Sequence, residues 1–494
     1  MFDGAEMGLF SLVGRPAVKD LLNTQDEALV SLWFGIVIAF FLVGAATGGV
    51  LFGWLGDRIG RVRAMALSVL TYALFTGLCG FATDAWQVGL LRFIGALGMG
   101  GEWSLGVALV MEVWPNRSRA LMAALIGAAA NVGYLLVGYI ALLIGRNMAV
   151  VEQSLQAMGL SADTTGELVD NGAWRLLMIL GVTPALLTFL IRLFVPESHR
   201  WEEEKRQGAT THWAASDLWG VALGILGPAA IIYLWSTAGA PYALWIRIAG
   251  TLAGLAVAVA GYTFPVLRFL QRGGSVQRAD QPGVPILYRM VMAACLSGVA
   301  LVGTWGSAQW APSYAQKLTE AGIGITSVTE AREQVQIWLA IGAIIGTILA
   351  ALIGGWLGRR LTYSLMCLTA FGSTVFLYQF HHAYGTSFLV ATTFVGICTA
   401  SFYGWLPLYL PELFPTRVRA TAQGFSFNFG RIIAAIGALQ AGNLVGMFPH
   451  DVPFGGILWK GAYPLACTTI SLVYIVGFLL IWCLPETKGQ PLPD

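Results

Sequence analysis

Gly53-Trp54-Leu55-Gly56-Asp57-Arg58-Ile59-Gly60-Arg61 closes one apolar run, Leu32 to Leu55, and leads into another, Ala64 to Ala82. Each run is close to the roughly 20 apolar residues that span a bilayer. A tight loop bearing one acid and two arginines between them describes paired membrane helices. Part of this pattern returns far along the chain, where Gly355-Trp356-Leu357-Gly358 repeats Gly53-Trp54-Leu55-Gly56. Two more pairs follow in the same order. Glu112-Val-Trp-Pro115-Asn-Arg117-Ser-Arg119-Ala120 returns as Glu412-Leu-Phe-Pro415-Thr-Arg417-Val-Arg419-Ala420, and Pro196-Glu197-Ser198 as Pro485-Glu486-Thr487. Parallel duplication of a six-helix unit is the build these three pairs predict.

The rest of the chain agrees. Its 494 residues are 57% hydrophobic and only 11% charged, against about 25% charged in a soluble domain. The 61 glycines are spread through the apolar runs, as expected where small residues let membrane helices approach closely. A net charge of +2 without a basic patch argues against nucleic acid. The six cysteines all lie in apolar segments with no C-x-x-C pair, so neither a zinc site nor a disulfide framework is expected. There is no G-x-x-x-x-G-K-[ST] loop, hence no ATP motor in this polypeptide. No cofactor is expected.

Spans are predicted near 32–55, 63–83, 86–113, 119–145 and 175–195, then 217–236 and 243–270 around a turn from Ser236 to Pro241. Six more lie near 287–311, 335–357, 362–380, 386–410, 420–446 and 461–484. The run Phe2 to Val13, before Arg15-Pro16, reads as a first span cut short, so the native start is expected upstream of Met1. That gives fourteen spans in an all-α membrane protein: a bundle over 1–200, a linker and inserted helix pair over 201–284, and a second bundle over 285–494. Arg58, Arg61, Arg63, Arg117, Arg119, Arg200, Arg268, Arg278, Arg359, Arg360, Arg417 and Arg419 fall on one side of this threading. Glu152, Asp163, Glu167 and Asp170 fall in loops on the other. The positive-inside rule makes the arginine side cytoplasmic, with both termini, in an inner (plasma) membrane.

The loop Gly53 to Arg61 resembles the signature of the major facilitator superfamily. Arg92-Phe-Ile-Gly95, Glu112 to Arg119, Pro196-Glu197-Ser198, Pro411-Glu412-Leu-Phe-Pro415 and Pro485-Glu486-Thr487 resemble its sugar-porter and organic-ion branches. Gly100-Gly101-Glu102-Trp103 is similar to metabolite:proton symporters and the sialate and lactate permeases. The second copy departs from the pattern, because Gly354 to Arg360 lacks the aspartate. The resemblance implies a major facilitator fold with two helices inserted between its bundles, and alternating access gated by Asp57, Arg58, Arg61, Glu112, Arg119, Glu197, Glu412, Arg419 and Glu486. Loop anchoring is the plainer reading of the same charges.

Ionisable groups within a span are costly and usually face the bundle interior. Arg92, Gly95, Met99, Glu102 and Gly106 share one helical stripe. Arg92 is equally readable as functional or as a helix-end charge that snorkels, and Glu102 is the candidate proton site. Asp3 and Glu6, one turn apart, are either a second acidic pair for proton coupling or a charged terminus. Arg431 is the best candidate for gripping a solute carboxylate, since a guanidinium offers two parallel hydrogen bonds. Asn428 shares its stripe, and Asn131 and Tyr134 hold the corresponding places in the first half. Gln309, Trp305 and Tyr403 complete the expected substrate contacts. Tyr403, Trp405 and Tyr409 read more readily as core, and His381 and His382 as solvated loop residues.

The expected function is therefore secondary transport of a small organic solute with a carboxylate, by proton symport and as a monomer. A sugar or polyol carrier is the alternative within the fold, and a non-transporting sensor the alternative outside it. With no metal-spaced histidines, nucleophile elbow or phosphate loop, an enzyme is not expected.

Overall fold

The computed structural model describes residues 1–115, 118–236, 242–273, 285–323, 328–454 and 457–493. The turn at 237–241, Arg117, Arg278 and the junction at 274–284 lie outside the described residues. The first half holds α1 (Phe2–Leu22), α2 (Glu27–Ile59), α3 (Arg61–Leu78), α4 (Ala85–Val113), α5 (Arg119–Arg146), α6 (Met148–Ala157), α7 (Ala162–Leu180) and α8 (Ala185–Phe194). A short α9 (His199–Arg206) leads to the inserted α10 (Leu218–Gly224), α11 (Leu226–Trp235) and α12 (Leu244–Arg272). The second half holds α13 (Ile286–Gly306), α14 (Ala311–Glu320), α15 (Val328–Leu357), α16 (Arg359–Phe380), α17 (Thr386–Leu413), α18 (Arg419–Asn428), α19 (Gly430–Gly446), α20 (Tyr463–Ser471) and α21 (Val473–Leu480). A two-stranded antiparallel ribbon, β1 (Val452–Phe454) and β2 (Ile457–Trp459), precedes α20.

Among the described residues, 11 helices are long and apolar enough to cross a membrane. Three of the fourteen expected spans stand outside that set. The first carries Asp3, Glu6, Arg15 and Lys19. The segment near 175–195 is split between α7 and α8, and the segment near 420–446 breaks at Phe429 between α18 and α19. The first helix also corrects the sequence reading. It does not stop at Val13 but runs through Pro16 to Leu22, where Asn23 ends it in the left-handed conformation (φ 45°). Five residues before the proline, the Ser11 carbonyl also accepts a bond from Arg332 of α15, which ties this helix to the second half. Glu152, Asp163 and Glu167, expected in loops, lie on α6 and α7, whereas Asp170 opens a non-helical break within α7 that runs to Ala173.

Glycine sets the packing inside each half. Where α2 crosses α4, a β-carbon on Gly48 would run into the Leu97 backbone, and where α15 crosses α17 one on Gly346 would run into Ile397. The two crossings correspond, as a duplicated unit requires. The halves meet along α2 against α18 and α19, and along α5 against α15. The inserted pair lies over the first of these seams: α11 packs on α19, α10 on α2, and α12 on α13 and α18. Tyr262 of α12 is fully buried and shares a 2.7 Å hydrogen bond with Thr47 of α2. Gln440 of α19 donates to the Trp235 carbonyl of α11. Removing the hydroxyl with Tyr262→Phe strands no partner, because Thr47 still donates to Val43. The expected loss is about 1 kcal/mol of stability, read as a lower thermal midpoint in detergent. An unchanged midpoint would show that the hairpin rests on apolar packing alone.

Candidate solute cavity and the charged seam

The signature loop stops one helix and starts the next. Gly60 takes φ +111°, which ends α2, and the free N–H groups of Arg61 and Val62 at the start of α3 are held by the Glu197 carboxylate at 2.9 and 3.2 Å. The second half repeats this. Gly358 takes φ +101°, and Glu486 accepts from Arg359 and Arg360 at 2.9 and 3.0 Å. Burial alone would raise the Glu486 carboxyl, but the N–H groups of Arg359, Arg360 and Lys488 outweigh it and hold the group below its ordinary range. Arg61 donates to the Gly56 carbonyl and to Glu112; Arg359 donates to the Gly354 carbonyl and to Glu412. Ser198 bonds the far oxygen of Glu112 at 2.5 Å, and Thr487 that of Glu412 at 2.6 Å.

These matched bonds correct the register of the repeat. Gly358 corresponds to Gly60, not Gly56, and Arg359 to Arg61, so Asp57 faces its counterpart in Gly355. That asymmetry has a structural consequence. Asp57 crosses the seam, accepting from the Ala420 and Thr421 N–H groups at 3.2 and 2.8 Å and from the Thr421 hydroxyl at 2.6 Å, at the start of α18. A carboxylate at a helix start is favoured by the free N–H groups and the helix dipole. Gly355 has no side chain to do the same for α5; a β-carbon built there would lie 3.1 Å from that of Ala120.

Around Asp57 the cross-seam network is wholly buried. Arg61 bonds Asp57 at 2.7 Å and the Thr416 carbonyl of the other half at 2.7 Å, and Glu112 bonds Arg419 of the other half at 2.9 Å. Trp201 of α9 ties the linker on by donating to the Asp57 carbonyl at 2.9 Å. Not every expected member joins. Arg58 is exposed and lies over the Trp54 ring at 5.0 Å. Glu197 and Glu486 start helices rather than bridge halves, and Glu412 pairs with Arg359 inside its own half. Arg119 is buried at the start of α5, where the Glu412 charge acts on it. Thr416, Thr421, Ser198 and Thr487 were missed, although the last two follow the acid of each Pro-Glu-Ser/Thr motif.

Towards the middle of the bundle lies a cavity of about 90 Å³ between side chains. Asp3, Trp103, Asn131, Tyr134, Trp305, Gln309, Tyr403, Phe427 and Arg431 are in its walls. Both halves contribute, and the Tyr134 hydroxyl donates to Gln309 across it at 2.9 Å. Trp103 and Phe427 stack face to face, centroids 3.5 Å apart, with Tyr403 edge-on to Phe427. Arg431 is 2% exposed; its guanidinium approaches the Met99 sulfur at 3.9 Å and lies over the Phe427 ring at 5.7 Å. Asp3 is the acid whose charge acts on it, yet Asp3 Oδ1 and Arg431 Nε both lack a hydrogen-bond partner.

Two expected wall residues sit elsewhere. The Asn428 amide is used up by the Gly100 and Gly424 carbonyls at the α2–α4–α18 crossing. Glu102 lies beside the cavity near Tyr72 and Asp3, its Oε2 buried without a hydrogen bond. Arg92 neither snorkels nor pairs with Glu102. It is 2% exposed, bonded to Glu6 and held between the Phe10 and Phe41 rings at 5.0 and 4.4 Å. Glu6 also accepts from Thr76 at 2.7 Å. Trp405 and Tyr409 are core, the latter donating to the Pro485 carbonyl.

Comparison with known proteins follows the same lines. Residues 1–223 match the family model described as "Sugar (and other) transporter". The cis,cis-muconate transport protein of Acinetobacter baylyi is 26% identical over 486 residues, 96% of this chain and 91% of that protein. The probable 4-methylmuconolactone transporter of Cupriavidus pinatubonensis is 27% identical over 488 residues, 99% and 88%. Among solved structures, the major facilitator proton:xylose symporter XylE aligns over 99% of this chain and 95% of its own, with a TM-score of 0.65 at 19% identity.

Proposed function

The chain is a transporter of the major facilitator superfamily, and from that premise we propose that its solute is a small organic anion whose carboxylate is gripped by Arg431. The observation that carries this is a buried guanidinium in a cavity wall with, among the described residues, no acid hydrogen-bonded to it. A cation held that way in the membrane is expensive unless a charge meets it. Trp103, Trp305, Tyr403 and Phe427 suit a flat, unsaturated body, while Asn131, Tyr134 and Gln309 suit its polar far end. That two relatives are named for muconate and a methylmuconolactone supports a carboxylate over a sugar.

Proton coupling belongs to the acidic cluster of Asp3, Glu6 and Glu102. The network of Asp57, Arg61, Glu112 and Arg419 closes the arginine-rich end, which the positive-inside rule makes cytoplasmic, with both termini, in a plasma membrane. Glu197, Glu412, Glu486, Arg58 and Arg119 support its loops, and one chain suffices for carriage.

Purified protein in liposomes tests the reading. With cis,cis-muconate outside and an inward proton gradient, the unaltered protein is expected to accumulate the solute and Arg431→Lys to bind it about 10- to 100-fold more weakly. Lysine keeps the charge but loses the planar fork, and a hydrogen bond to a charged group is worth about 1.5–3 kcal/mol. Uptake of xylose in place of muconate, indifferent to Arg431→Lys, would sink the carboxylate reading.

A further inference from the structure

A second guanidinium stands outside the cavity, towards the end of the bundle away from the charged seam. Arg332 lies on α15, and Gln336, Leu339, Ala340 and Ala343 follow it along one helical stripe, the last three in the cavity wall. Arg332 donates to the Ser11 carbonyl of α1 at 3.2 Å, and among the described residues no carboxylate is bonded to it. The Ser11 side chain lies beside the Tyr134 hydroxyl, which bonds Gln309 in the cavity wall at 2.9 Å. A polar line built from both halves thus connects Arg332 to the cavity.

Gln336 is 3% exposed, and its amide nitrogen has no hydrogen-bond partner. It sits where α15 passes Gly138 of α5, one turn beyond Tyr134; a β-carbon on Gly138 would come 3.6 Å from that nitrogen. A buried donor left unpaired costs stability, and an apolar side chain of the same length would avoid the cost. The charges acting on Arg332 are Glu333 of α15 and Arg15 of α1, one of each sign. Lys317 lies over the ring of Tyr463, on which Arg15, Arg332 and Glu320 also act. Three cations face two acids among these groups, so this end keeps a positive balance.

On the reading that the solute is a carboxylate, we propose that Arg332 and Gln336 form an outer anion subsite, which holds the carboxylate before Arg431 receives it. The Arg332 fork offers two parallel hydrogen bonds, and the Gln336 amide supplies a third donor one turn further in. The Ser11 carbonyl steadies the guanidinium while the subsite is empty. The bond between Tyr134 and Gln309 separates the two seats and parts as the solute passes. Such a station leaves the equilibrium in the cavity untouched, because it lies on the path and not in the seat. What it changes is rate. Charge that gathers an ion at an entrance raises association about 10- to 1,000-fold at low salt, and dissociation by the same path rises in proportion.

The test is stopped-flow binding of cis,cis-muconate to the purified protein, read by tryptophan fluorescence, since Trp103 and Trp305 line the cavity. In Arg332→Gln the glutamine can still donate to the Ser11 carbonyl but carries no charge. Association and dissociation should both slow about tenfold at low salt, with Kd unchanged and the salt dependence of association flattened. Gln336→Met should slow both rates about 2- to 10-fold, the worth of one hydrogen bond, while raising the thermal midpoint. In the unaltered protein the observed rate should level off with muconate as the outer seat fills, and in Arg332→Gln it should stay linear. Unchanged rates in Arg332→Gln would reduce Arg332 to a tie between α1 and α15 and overturn the inference. So would a changed Kd with association intact, which would make Arg332 a contact of the seated solute. Unaltered rates in Gln336→Met would leave Arg332 steering by charge alone, with no subsite. Kd indifferent to Arg431→Lys, with both rates still slowed by Arg332→Gln, would sink the Arg431 reading and spare the outer seat. No muconate binding at all would sink both.

Discussion

Glu112→Gln is expected to shift the molecule from closed to open at its arginine-rich end by a factor of about 100 to 1,000. Glu112 is the acid between two arginines of different halves, 3.2 Å from Arg61 and 2.9 Å from Arg419, and all three side chains are fully buried. Glutamine keeps the shape and removes the charge, so Arg61 keeps Asp57 while Arg419 loses the acid it bonds. Breaking a buried ion pair costs about 3–5 kcal/mol. That cost falls only on the closed state, because opening returns the arginines to water. Spin labels at the exposed positions Arg58 and Trp356 would report a longer distance. Glu412→Gln is the comparison: Glu412 bonds Arg359 and Thr487 in its own half and reaches Arg119 of the other half through its charge, so it should lengthen the distance less. Equal behaviour of the two variants would show that both acids only anchor loops.

Much of this machinery was legible before any coordinates. Span periodicity, loop arginines and the three repeated motifs were enough for the fold, because a bilayer leaves few solutions for a chain this apolar. Arg431, Tyr134, Asn131, Gln309, Trp305 and Tyr403, the solute contacts expected from the sequence, lie in the cavity walls, as does Asp3, expected as a proton-coupling acid or a charged terminus. What failed did so for physical reasons. The repeat was set by the letters Gly-Trp-Leu-Gly, whereas its register is fixed by where a positive-φ glycine ends a helix and by which arginine meets Glu112 or Glu412. Arg92 reads from the sequence as functional or as a snorkelling helix-end charge, whereas its partner, Glu6, comes from another helix that no periodicity could bring near. Asn428 was placed in the cavity by its stripe, yet a glycine-lined crossing beneath it leaves two carbonyls that its amide satisfies.

The two seams differ in a way that bears on how the molecule moves. At the α2–α18 seam a backbone-to-backbone approach at Gly49 and Gly424 runs directly into the Asp57 contact with Thr421. At the α5–α15 seam the corresponding acid is missing and Gly355 meets Ala120. The inserted helices cover the first seam and bond to both of its sides. On the proposal that the Asp57 network is a latch, the latch, the tight crossing and the extra helices are gathered on one side of the bundle, which assigns the other side the role of pivot.

Gly53→Val tests that arrangement from the packing side, with an expected loss of transport of about 5- to 150-fold and binding retained. A β-carbon at Gly53 would lie 2.6 Å from the Ala420 carbonyl oxygen and 2.8 Å from the Thr421 Cα, both backbone atoms that cannot swing aside. Overpacking in a fixed core costs about 1–3 kcal/mol, and here the strain lands only on the closed seam, since parting α2 from α18 relieves it. The register correction sharpens the point: the counterpart of Gly53 is Ala351, buried at the other seam, where a methyl already fits. The variant should stay folded, stay open at the arginine-rich end, and bind muconate in its cavity without carrying it across. Gly372→Val, where a β-carbon meets nothing within 4 Å, should transport normally. Normal uptake by Gly53→Val would mean that the α2–α18 crossing loosens without any need to close this tightly, and the Asp57 network would then be a scaffold rather than a latch.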